Sequence, residues 1–122
     1  MNEECSMQLF LSKSISEDSI LIGINSVLNF QIETVDTKVE NAVGFLQLTE
    51  YSSGFKLGCL ISWPESVKPN IDVKKLSEAL TDNFQCEILC EMINNEWYLF
   101  KPGLEAIQVE IQELGDGITV ST

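Results

Sequence analysis

The side chains that could do chemistry in this chain are carboxylates and thiols, and little else. Nineteen Asp and Glu stand against seven basic residues, giving a net charge of −12, and there is no His. All the bases are Lys. Without His, no Ser-His-Asp or Cys-His pair can form within the chain, and a His-ligated zinc site is excluded. Without Arg there is no bidentate clamp for phosphate or carboxylate. Nucleic-acid binding draws its affinity from clustered cations. The only adjacent pair here, Lys74-Lys75, sits among acids, so no direct nucleic-acid contact is expected. The seven glycines are scattered and form neither a Walker-type loop nor G-x-G-x-x-G. The turn Gly115-Asp116-Gly117, with Glu113 nearby, lacks the D-x-[DN]-x-[DN]-G pattern of a calcium loop. No catalytic residue, metal ligand or cofactor is therefore assigned, and an enzyme is not expected.

The thiols are Cys5, Cys59, Cys86 and Cys90. Cys86 and Cys90 fall in a strand-like run, where positions i and i+4 lie roughly 13 Å apart. A disulfide needs Cα atoms within ~7 Å. Cys59 alternates with Leu57 and Ile61 and reads as a small buried hydrophobe. Four reduced, structural cysteines are expected.

The carboxylates are unevenly spread. From Glu78 to the C-terminus there are nine, opposed only by Lys101. Such a field either is a solvated face that keeps the protein soluble, although solubility charges normally mix both signs, or steers a partner of opposite charge. Glu87, Glu91, Glu96, Glu110, Glu113 and Asp116 are the acids that the pattern places on outward faces and turns. With a two-residue turn at Asn94-Asn95, Cys90 would face Leu99, and the opposite face would pair Glu91 with Tyr98 and Leu89 with Phe100. Either the hairpin is a central strand pair buried on both sides, or Tyr98 and Phe100 are a candidate apolar anchor within the acidic field, the composition of a binding hot spot.

The elements that must position these residues are mostly strands. A weak alternation at Met7, Leu9 and Leu11 precedes a polar stretch, Ser14 to Ser19. Ile20, Ile22 and Ile24, then Leu28, Phe30 and Ile32, keep one even-numbered phase and read as one bent strand or two short ones. Val43 to Tyr51 and Phe55 to Trp63 form a hairpin around Ser52-Ser53-Gly54, closed by Pro64. Asn70 or Asp72 can cap a helix over about residues 72–84, with Val73, Leu76, Leu80 and Phe84 on its apolar side. Strands resume at Cys86–Met92 and Trp97–Lys101. Ile107, Val109 and Ile111 alternate as another strand, and Ile118 and Val120 make the last.

This order gives an α+β fold: a largely antiparallel, curved β-sheet of about six or seven strands on one main α-helix. One short helix cannot cover so many strands, so strong curvature or a second packed sheet is required. The 122 residues suit a single domain spanning 1–122. No apolar run reaches the ~18 residues of a membrane span. The N-terminus is acidic where a secretory signal is basic, so a cytoplasmic protein is expected, as monomer or homodimer.

The function that fits is an acidic binding protein that neutralises or escorts a basic protein partner. The bacterial immunity or antitoxin class is the leading expectation, its acidic surface occluding the basic cleft of a toxin such as a nuclease. The alternatives are a type III secretion-type effector chaperone and a nucleic-acid mimic that blocks a DNA-binding protein.

Overall fold

The computed structural model describes residues 4–66, 72–92 and 95–121. In chain order the elements are β1 (Glu4–Leu11), α1 (Glu17–Asn25), β2 (Gln31–Glu33), β3 (Ala42–Glu50), β4 (Ser53–Gly54) and β5 (Leu57–Pro64). They continue with α2 (Val73–Phe84), β6 (Ile88–Glu91), β7 (Trp97–Phe100), β8 (Ile107–Val109), β9 (Ile111–Leu114) and β10 (Gly117–Val120). Seven strands form one sheet in the order β2-β3-β5-β1-β6-β7-β8, and three form a second in the order β4-β10-β9. The large sheet is antiparallel except for the β2–β3 pair. The fold is α+β, as the residue pattern predicts. Among the described residues no helix is long and apolar enough to cross a membrane.

The first half departs from expectation at α1. Ile20, Ile22 and Ile24 are not a strand. Ile20, Leu21 and Ile24 turn inward on a helix, while Ile22 is 70% exposed. The period-two reading overlooked Leu21, which completes the i, i+1, i+4 stripe of a helix. Local signals also point to a helix start. The Ser16 hydroxyl accepts from the Ser19 N–H at 3.3 Å, and Glu17 and Asp18 occupy the first turn. Gly23 brings α1 against α2, because a Cβ there would lie 3.1 Å from the Phe84 ring. Of the second expected strand segment, only the end forms β2.

The second helix forms where its spacing predicts. Asp72 caps α2 by accepting from the Lys75 N–H at 3.1 Å; Asn70 lies outside the described residues. Leu76 and Leu80 are buried on its inner face.

Both helices lie against one face of the large sheet. Leu9 and Leu11 of β1, Leu57, Cys59 and Ile61 of β5, and Ile88 and Cys90 of β6 meet them in the main core. The opposite face carries a second core of Phe10, Phe55, Leu89, Leu99 and Ile118 beneath the small sheet. Two packed sheets thus resolve the shortage of helical cover. They also explain why the β1 pattern is faint: as the strand between β5 and β6 it buries Leu9, Phe10 and Leu11 in succession, toward both layers. Phe55 is a related correction, since it joins the second core rather than the face of Leu57 and Cys59.

The expected strand through Ile107, Val109 and Ile111 is two strands. The chain leaves the large sheet after Val109, passes Glu110, and enters the small sheet at Ile111. A single alternating pattern cannot show that its strand changes sheets.

Candidate functional site

The hairpin β6–β7 pairs Ile88 with Phe100, Leu89 with Leu99, Cys90 with Tyr98 and Glu91 with Trp97. This register is one residue away from the one a two-residue turn at Asn94-Asn95 would impose. The Met92 N–H donates to the Glu96 carbonyl at 2.6 Å, so three residues make the connection. Asn95 takes φ 61°, the left-handed position such loops require; Asn94 lies outside the described residues. A one-residue slip sends every side chain to the other face. Tyr98 and Phe100 therefore lie on the helix face with Cys90 and Ile88, and Trp97 and Leu99 lie under the small sheet.

Phe100 is consequently no exposed anchor. It is 1% exposed and belongs to the main core. Its carbonyl accepts from the Thr81 hydroxyl at 3.3 Å, and the same hydroxyl donates to the Cys86 carbonyl. Tyr98 is half-buried and packs at the margin of that core.

Where α2 stops covering the sheet, a groove of about 840 Å³ opens. Its floor is Met92, Tyr98, Phe100 and Ala106, and its rim is Lys74 and Glu78 of α2 with Glu96 and Glu105. The Tyr98 hydroxyl donates to Glu96 Oε2 at 3.4 Å. Lys74 Nζ stands 4.0 Å from Glu78 Oε1, one turn apart on the helix, with both side chains well exposed. Such a pair stabilises little, because water already screens it. Among the described residues that line it, three carboxylates stand against one ammonium, a net negative lining. An aromatic face and apolar floor beneath carboxylates suit a Lys or Arg side chain, whose methylenes pack on the floor while its charged head meets the rim.

The expected site residues are only partly gathered there. Glu96, Tyr98 and Phe100 converge on the groove. Glu87 is half-buried and tied to the end of β1, its N–H donating to the Ser12 hydroxyl at 2.8 Å and its carbonyl accepting from the Ser12 N–H at 2.9 Å. Glu91 is exposed but shares its face with Trp97, on the small-sheet side. Glu110 is exposed at the β8–β9 break, its carbonyl accepting from the Ser121 N–H at 2.7 Å. Glu113 and Asp116 are exposed on β9 and the β9–β10 turn, in the other layer. The acids thus divide between two layers instead of forming one patch. Glu78, Glu105, Lys74, Met92 and Ala106 complete the groove and were not singled out by their spacing. Glu78 and Glu105 were visible as acids, but only the packing of α2 over the hairpin shows that they face Glu96.

Three of the four thiols, Cys59, Cys86 and Cys90, are buried. Burial, reinforced by the nearby Cys86, pushes the Cys59 thiol up to about 12. Burial also raises Cys86 and Cys90, although Ser77, 3.6 Å from the Cys90 sulfur, partly offsets the latter. A thiol protonated at neutral pH is a poor nucleophile. All four cysteines are free, as expected. Among the described residues, no three Cys, Asp or Glu are grouped to hold a metal ion. No protein family, curated protein or solved structure matches this chain.

Proposed function

We propose that this chain is a non-enzymatic acidic binding protein that neutralises a basic protein partner, as an immunity or antitoxin-type inhibitor does to a toxin such as a nuclease. The observation that carries the reading is the groove, in which Glu78, Glu96 and Glu105 surround an aromatic and aliphatic floor, with Lys74 the one cation among the described lining residues. A toxin that binds phosphates presents Lys and Arg side chains, and this groove offers such a side chain both charge and apolar cover. The wider acidic field, from Glu87 to Asp116, accelerates encounter without requiring every carboxylate to touch the partner.

The test is affinity capture from the source organism, followed by titration of the captured protein's activity. A basic protein inhibited at equal stoichiometry supports the proposal. Capture of a secreted effector that stays active, or of a DNA-binding protein, refutes the toxin reading. With the partner in hand, Glu78, Glu96 and Glu105 replaced together by Gln should slow association about tenfold or more at low salt and flatten its salt dependence. An association rate that keeps its value and its salt sensitivity would remove the groove from the interface.

A further inference from the structure

The large sheet has two outer edges, and the chain treats them differently. At β2 the edge is blunted. Asn25 Nδ2 donates to the Ile32 carbonyl and Asn25 Oδ1 accepts from the Ile32 N–H, both at 2.9 Å. The β2–β3 register is irregular between Gln31 and Ile32, and Glu33 pairs with Lys38 at 3.6 Å. A plug, a bulge and a charge are the usual protections of an edge. At β8 none of these is present among the described residues. Its residues, Ile107, Gln108 and Val109, include neither charge nor proline. Among the described residues no side chain or loop bonds its outer backbone. Ile107 is 51% exposed, and Leu104 just before it is 67% exposed.

We infer that the free edge of β8 is where the basic partner docks, by adding an extended strand that carries Lys or Arg at alternate positions; this rests on the proposed basic partner. Register chooses the pattern. Gln108 pairs with Tyr98, while Ile107 pairs with Leu99 and Val109 with Trp97. The Gln108 position therefore belongs to the groove face, and Ile107 and Val109 to the other. Side chains of an added strand alternate in the same way. One set reaches the groove and its carboxylates, and the other lies beside exposed Ile107. Charge chooses the occupant. A second copy of this chain would bring Ile107, Gln108 and Val109 to the edge, none of them a cation for the carboxylates of the groove. A strand bearing cations on one face and apolar residues on the other matches both the groove and exposed Ile107.

The experiment uses the full chain and two nine-residue synthetic peptides of identical composition, one alternating Lys and Val, the other with Lys and Val in separate blocks. Backbone hydrogen exchange is followed by NMR at residues 107–109. The alternating peptide should bind more tightly and slow exchange at these amides several-fold. N-methylating its alternate backbone nitrogens should weaken it about tenfold, the loss of one to two backbone hydrogen bonds. If both peptides bind equally and exchange at 107–109 is unchanged, the edge is not the docking site, while the basic-partner reading stands. If neither binds even at low salt, both fail. If the free protein self-associates with concentration and protects the same amides, the edge belongs to a second copy and the inference is overturned.

Discussion

Replacing Asn25 by Ala tests how the β2 edge is held. The side chain supplies two hydrogen bonds at 2.9 Å, one to each backbone group of Ile32. Each such bond is worth about 0.5–1.5 kcal/mol net, and more when its partner is left buried and unpaired. Ile32 is fully buried and packs in the main core, so the upper part of the range applies, giving about 2–3 kcal/mol. For a chain of this length, about 4 °C per kcal/mol puts the fall in Tm at about 8–12 °C. In urea the midpoint should fall with an unchanged slope, since the surface exposed on unfolding stays the same. Asn25→Asp sharpens the argument. A carboxylate can still accept from the Ile32 N–H, but it cannot donate to the carbonyl. It also puts negative charge at the last residue of α1, the negative end of the helix. Asp should therefore cost at least as much as Ala. A loss below about 0.5 kcal/mol for Ala, or an Asp variant clearly more stable than the Ala one, would refute this account of the edge.

Leu80, buried on the inner face of α2, should cost about 2–5 kcal/mol when replaced by Ala, measured by denaturant unfolding; a neutral result would remove α2 from the core. In native protein at neutral pH, Cys5 should be alkylated first and Cys59, Cys86 and Cys90 only on unfolding, when mass measurement without reductant should show four adducts. The raised Cys59 thiol also sets a pH trend. Its neutral form is favoured by folding, so its contribution is complete below the ordinary value of 9.0 and is lost as pH rises toward about 12. The urea midpoint should fall above about pH 9, and Cys59→Ala should flatten that fall; a parent protein with no alkaline decline would contradict it.

Features defined within one stretch of chain were legible from the residues alone. The absence of His and Arg rules out His-dependent triads, His-ligated zinc and bidentate guanidinium clamps within this chain, because each needs that side chain itself. The Asp72 cap and the 3.6-residue spacing of Leu76 and Leu80 marked α2, because both signals lie within one element. The hairpin of β3 and β5 was legible because its two strands are joined by a short turn, so the pairing is local in sequence. Tertiary structure decided what needs a second element for its definition. At α1 the local signals compete, the Ser16 cap and Leu21 against alternating isoleucines, and burial of Ile20, Leu21 and Ile24 outweighs the strand preference of Ile. The three-residue connection at Asn95 decided which face Tyr98 and Phe100 share, because register depends on loop length and its error inverts every side chain. The groove arose in the same way. Glu78, Glu96 and Glu105 lie on separate segments, and only the packing of α2 beside the hairpin brings their charges to one place, since spacing along a chain carries no information about distance between elements.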